Sequence, residues 1–409
     1  MKNDVFWLRF SLVNLFLVAV LGTLMRYKIA FSFPYLDQKF IQEAHSHFAF
    51  YGWMTQVLYV LMLLYIEKRL PSNRLKKYRV LLWVNAFGAL LMIPSFLYAG
   101  YYWLSILASS ICLFAGFAFL GFLIKDFWKN PDYTVRWFKF GLGLAALSSI
   151  GIFTLSYIKA TGLANQDLYL AGSYFYLHFQ YNGCFIFIAI GLLLEGLKRI
   201  GVEISSRENN LIFYSTLFGA LFGFGLSILW MDLPPGIYLL VVAATLIQTY
   251  GAYRLIRLVK INWPKLVLNF SPTHRVVLWY VGFAFCAKIS LQLVSVIPEL
   301  SQFAFGFRNV VIAYLHLVLL MCLSMFLLNQ ILASNRFWVT KKVTRALYAV
   351  LTFVFLNQAV LGAMGLFSVK YIGLPYTAPI LVILSLGIAL SMLALILSLK
   401  ARPQLKIAP

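Results

Sequence analysis

The chain has 409 residues, 62% of them hydrophobic and 11% charged, with a mean hydropathy of +0.85. Soluble domains carry about twice that charge, so a water-soluble globular fold is excluded. The net charge of +22 would suggest nucleic acid, but its distribution points elsewhere.

Apolar stretches of about 20 residues, long enough to cross a bilayer, recur along the whole chain. They predict an all-α polytopic membrane protein of twelve spans, at 5–27, 41–66, 79–100, 102–124, 137–159, 168–195, 210–230, 236–258, 276–297, 306–333, 345–368 and 376–399. Alternating sides puts 27 of the Lys and Arg residues on the side holding both termini and 6 on the other, with Lys288 in the membrane. The positive-inside rule then predicts cytoplasmic termini in a bacterial inner membrane. The basic loop Lys68, Arg69, Arg74, Lys76, Lys77 and Arg79 is read as a topology determinant that also suits anionic lipid headgroups. No loop is long enough for a soluble domain, so residues 1–409 are expected to form one transmembrane domain. The first apolar segment reads as a mature span, without a small-residue cleavage site.

In chain order, the first polar signal is on the second span, Glu43-Ala-His45-Ser-His47-Phe-Ala-Phe-Tyr51-Gly52-Trp53. Histidine inside hydrocarbon is costly without a partner, cavity or metal. Residues two apart on a helix diverge by about 200°, so His45 and His47 are not expected to ligate one iron from a regular helix. Gly52 removes bulk where a flat macrocycle or a neighbouring helix approaches. A structural alternative is that both rings bond to loop backbone.

On the sixth span, Tyr174, His178 and Asn182 fall at i, i+4 and i+8, one polar stripe to which Gln180 and Tyr181 add. It is expected to face the interior, as a ligand pocket or as interhelical bonding. His274 reads as a solvated loop residue. Lys288 lies within the ninth span, at an insertion cost of about 2.5–3.5 kcal/mol if unpaired; a proton path, a haem substituent and a helix contact all remain open for it. The tenth span places Tyr314 two residues before His316, with Arg308 about 12 Å nearer the outer surface. No sequence repeat is evident beyond histidines in the second, sixth and tenth spans. Cys112, Cys184, Cys286 and Cys322 form no CxxC pair, which excludes a c-type haem attachment, a disulfide framework and a cysteine zinc site.

These residues resemble subunit I of the haem-copper oxidase superfamily, a twelve-helix fold with haem ligands on its second and tenth helices and a copper ligand on its sixth. Ile312-Ala313-Tyr314-Leu315-His316-Leu317-Val318-Leu319-Leu320-Met321 follows the frame of that family's Val-Ala-His-Phe-His-Tyr-Val-Leu-Ser-Met. The resemblance implies that His316 takes the low-spin haem ligand position, with Tyr314 replacing the high-spin ligand. Tyr176-Leu-His178 looks like the Tyr-Gly-His of one oxidase branch, which puts His178 at a copper-ligand position. His45-x-His47-x-x-x-Tyr51-Gly52-Trp53 is similar to the His-x-His-x-x-x-Phe-Gly-Phe of NnrS proteins, twelve-span haem proteins tied to nitric oxide tolerance. The family's adjacent copper-ligand histidines are missing from residues 210–230, so copper is not expected.

The leading expectation is therefore a degenerate oxidase-like protein binding b-type haem for electron transfer or for interaction with NO or O2, without a complete haem-copper centre. His316 is the first axial candidate, opposed by His47 in preference to His45. Arg308, Arg26, Lys28 and Lys39 are the outer-side cations available to propionates. His178, with Tyr174, Gln180 and Asn182, would form a second metal site or ligand pocket. The alternatives are a non-catalytic NnrS-like tolerance, sensing or cofactor-assembly protein, and a cofactor-free transporter. A redox partner is expected; nucleic acid is not.

Overall fold

The structure is a computed structural model describing residues 2–403. It contains twelve helices long and apolar enough to cross a membrane: Asp4–Ala30, Gln38–Ile66, Ser72–Ala99, Trp103–Asp126, Tyr133–Thr161, Gln166–Arg199, Ser206–Ile228, Pro235–Ile261, Pro272–Val294, Arg308–Ala333, Lys341–Ser368 and Thr377–Ser398. Each meets a predicted span. The largest shift is at the third, which starts at Ser72 instead of residue 79. Its first two turns carry Asn73, Arg74, Lys76 and Lys77, which are helical without being apolar, so hydropathy passes over them.

His274 needs a correction. It is 8% exposed in the first turn of the ninth span, where a solvated loop residue was expected. Ser271 caps that helix by accepting from the His274 backbone N–H, and Pro272 occupies its first turn. Ser followed by Pro is a helix-start signal, and it outweighs the loop-like composition around it. Short helices at Trp263–Asn269 and Pro298–Gly306 also replace expected loop.

The described chain forms two compact units. The first comprises residues up to 119, 324–367 and from 371 onward; the second comprises 120–323 and 368–370.

In the first unit the second span is the enclosed helix, with 89% of its apolar stretch buried, against 44% for the first and twelfth spans, which pack along each other. Side chains of neighbouring spans brace it. Asn14 Nδ2 donates to the Gly52 carbonyl at 2.6 Å, and Asn85 Nδ2 donates to the Tyr51 carbonyl and to Gln56 Oε1. Trp53 Nε1 donates to Ser324 Oγ at 2.8 Å. Near the chain ends, Arg336 pairs with Asp4 at 2.7 Å, and Phe337–Trp338 pairs antiparallel with Lys400–Ala401.

In the second unit the sixth span is the enclosed one, also 89% buried. Its close partner is the fifth span, and glycine permits the approach. A Cβ on Gly183 would lie 2.9 Å from the Leu144 Cβ, and one on Gly151 would overlap the Gly172 carbonyl. Small residues at such crossings allow backbone contact without lipid-facing cost.

The second, sixth and tenth spans share a departure from α geometry. Phe48–Thr55, Phe179–Phe185 and Leu317–Ser324 are π-helical, and each segment begins directly after a histidine: His47, His178 and His316. Such segments are rare and concentrate at functional sites.

Candidate functional site

The three π segments reveal a recurrence hidden in the unaligned sequence. Set at the histidine, His47-Phe48-Ala49-Phe50-Tyr51-Gly52 matches His178-Phe179-Gln180-Tyr181-Asn182-Gly183, and Tyr176-Leu177-His178 matches Tyr314-Leu315-His316. The resulting His-Phe-x-aromatic-x-Gly pattern recurs four spans apart.

In the first unit, His45 and His47 diverge as their spacing requires. His45 Nδ1 lies 3.1 Å from the Val18 carbonyl, and its ring packs at Gly22 of the first span. His47 turns the other way, stacking on Phe96 of the third span at 4.4 Å between ring centres. Its Nδ1 meets the Glu43 carbonyl at 2.9 Å. A carbonyl only accepts, so Nδ1 carries the proton and Nε2 holds the lone pair of the neutral ring. Nε2 accepts from the Tyr101 hydroxyl at 2.7 Å.

Tyr101 escapes a reading of the helices because it sits in the short turn between the third and fourth spans. That turn is held in place locally. Gly100 has φ +59°, and a Cβ there would come within 2.6 Å of Phe40 and 2.8 Å of Glu43. Ser105 Oγ accepts from the Tyr102 N–H and donates to the Gly100 carbonyl. Glycine before the tyrosine and serine shortly after it were the available signals. At Gly52 the ring of Phe48 from its own span fills the space a Cβ would take, while Asn14 of the first span reaches the Gly52 carbonyl.

In the second unit, the predicted polar stripe is buried. His178 is 2% exposed, Asn182 3% and Gln180 5%, while Tyr174 is half-buried. His178 Nε2 donates to the Ala220 carbonyl of the seventh span at 2.8 Å, and Nδ1 accepts from Asn182 Nδ2 at 3.2 Å. Both ring nitrogens are thus occupied, with the tautomer opposite to that of His47. Gln180 donates to Ser148 of the fifth span at 3.0 Å, so this part of the stripe forms interhelical bonds. Phe179 and Phe224 close on the His178 ring edge-on, at 5.1 and 6.0 Å.

His316, on the tenth span in the same unit, repeats the His47 arrangement. Its Nδ1 donates to the Ile312 carbonyl one turn back at 2.8 Å, which makes Nε2 the acceptor nitrogen. Tyr314 meets the Tyr181 ring edge-on at 6.3 Å, and the two side chains hydrogen-bond to each other. Arg308 is exposed at the start of the span, Arg26 is half-buried near the end of the first, and Lys39 is exposed at the start of the second. Lys28 donates to the Phe33 carbonyl at 2.5 Å, so this expected propionate partner is engaged with its own loop.

Among the described residues no group of three or more His, Cys, Asp or Glu side chains converges as a metal cage. The comparisons add no relative: no protein-family model matches the chain, and no curated protein matches it.

Proposed function

We propose that this chain is a membrane haem-binding protein in which His316 and His47 each serve as an axial ligand to b-type haem iron. One observation carries the reading. Both rings tie Nδ1–H to a backbone carbonyl one turn earlier, which puts the lone pair on Nε2, and both stand directly before a π-helical segment. Metal-ligating histidines are oriented in this way, with the second nitrogen bonded to a carbonyl or carboxylate. Axial ligation takes only one or two protein donors per iron, so it does not require the converging cage needed by a structural zinc or mononuclear copper ion.

Bound haem would supply one-electron redox chemistry or a position for NO or O2. The chain's own residues hold the imidazole tautomer and enclose the second span, and the Tyr101 hydroxyl that sits on His47 Nε2 would give way to the iron. Arg308 and Arg26 are the proposed propionate partners. His178 fits a metal poorly, since the Ala220 carbonyl holds its Nε2 proton and Asn182 of its own span covers Nδ1, whereas ligation by His47 would displace only a tyrosine hydroxyl from a turn. This favours haem alone over a haem-copper pair, and a role in gas binding, tolerance or electron transfer over terminal oxidation.

The test is the reduced-minus-oxidised optical spectrum of the purified protein, with iron and copper analysis on the same sample. A b-type signal that disappears in His316→Ala, while the variant still inserts, supports the assignment. An unchanged spectrum in both His316→Ala and His47→Ala would overturn it.

A further inference from the structure

The basic turn between the second and third spans lies in the first unit and takes no part in haem ligation. Residues 67–79 hold Lys68, Arg69, Arg74, Lys76, Lys77 and Arg79 against one acid, Glu67, and that acid pairs with Arg79 at 2.8 Å. Arg69 is turned back onto the second span. Its guanidinium lies 3.6 Å from the centre of the Tyr65 ring and donates to the Tyr65 carbonyl. Lys76 is exposed in the second turn of the third span, with Lys77 half-buried beside it.

Further along the span, the face that carries Lys76 becomes apolar. Val80, Trp83, Phe87 and Leu90 follow Lys76 at i+4, i+7, i+11 and i+14, which places them on one stripe of the helix, and all four are exposed. From Lys76 to Phe87 the helix rises by about 16 Å, close to the roughly 15 Å of hydrocarbon in one leaflet. Trp83 is 56% exposed and still held in place: Trp7 of the first span meets it edge-on at 4.6 Å between ring centres, and Phe6 lies at 5.6 Å. A large ring that is both exposed and braced offers a fixed surface to whatever lies against it.

This face has the two ends of an amphiphile, with cations at headgroup level and an apolar track one leaflet deep. We propose that it binds an anionic phospholipid, with the phosphate held by Lys76 and Lys77 and an acyl chain lying along Val80, Trp83 and Phe87. A zwitterionic lipid fits the same track but brings no net charge to the cations, so the selectivity is electrostatic. The turn between the fourth and fifth spans lacks that complementarity, since residues 125–132 set Lys125 and Lys129 against Asp126 and Asp132.

The experiment reconstitutes the full chain in phosphatidylcholine bilayers. Part of the lipid is replaced by phosphatidylglycerol brominated on its acyl chains, a contact quencher of tryptophan fluorescence. Brominated phosphatidylcholine at the same fraction is the reference. The anionic lipid should quench more strongly, with a selectivity on the order of tenfold at Trp83, and the excess should disappear in Trp83→Phe. The double variant Lys76→Gln, Lys77→Gln should bring the two quenchers to parity. Lys125→Gln with Lys129→Gln removes the same charge and should leave the excess intact. Equal quenching by both lipids in the wild type would overturn the proposal. So would an excess that survives Trp83→Phe or the Lys76, Lys77 variant, or one that is lost equally in both double variants. Haem binding enters neither comparison, because both lipids meet the same protein.

Discussion

His47 and His178 begin the same local motif and end as opposites. Each opens a π-helical segment, each is followed by Phe and, five residues on, by Gly, and each lies on the most enclosed span of its unit. The difference lies in what surrounds them. His178 meets a seventh-span carbonyl and an asparagine one turn below, which use both nitrogens inside the protein. His47 meets its own helix on one side and a single tyrosine hydroxyl, from an interhelical turn, on the other. On the proposed reading, what meets the second nitrogen separates a histidine that fastens helices from one that can ligate a metal.

Spectroscopy can break this contrast most directly. His47→Ala is expected to abolish or strongly alter the haem spectrum with a modest loss of stability. His178→Ala should preserve the spectrum while lowering the thermal unfolding midpoint in detergent. Two buried groups lose their partners in that variant, at about 1–3 kcal/mol each. If the outcomes are exchanged, the two roles have been assigned the wrong way round.

Removing the brace of the first unit is the next largest effect. Asn85→Ala should cost about 1–3 kcal/mol, because it strips the Tyr51 carbonyl and Gln56 of a shared donor. The same unfolding measurement checks it, and a cost below that of surface variants would mean that the π segment holds its own shape.

Chemical access sharpens the comparison without requiring haem. In the apoprotein, Tyr101→Phe uncovers His47 Nε2. Carbethoxylation at His47, followed by peptide mass spectrometry, should be several-fold faster than in the wild type. His178 should stay unmodified in both proteins, and its modification at the His47 rate would end the distinction. The smallest change is expected for Arg79→Gln, which breaks the partly exposed pair with Glu67 at 2.8 Å. Such pairs contribute about 0–1 kcal/mol, and the variant serves as a baseline.

Hydropathy makes the twelve helices legible, because a continuous apolar run needs nothing beyond its own composition to span a bilayer. It also marks the histidines and Lys288, since each is a polar departure within such a run. The π segments are not legible this way: Phe48-Ala49-Phe50-Tyr51 reads as any apolar helix would. Only aligning the spans at their histidines exposes the shared pattern. The tautomer of His178 depends on Ala220, 42 residues away, and the partner of His47 Nε2 is Tyr101, 54 residues away. The structural use of Asn14 and Asn85 is likewise fixed by which span lies beside them, although a lone amide in an apolar span was a sign available from the start.

The π segments carry a consequence for how this protein can vary. Successive α-helical residues are offset by about 100°, so an added or removed residue in such a segment swings everything beyond it to another side of the helix. A deletion at Ala49 would leave every remaining side chain intact and still re-aim His45 and His47 relative to Trp53 and Gln56 further along the span. These three spans should therefore accept a change of residue far more readily than a change of length, and single-codon deletions across 48–55, 179–185 and 317–324 should be among the least tolerated in the chain.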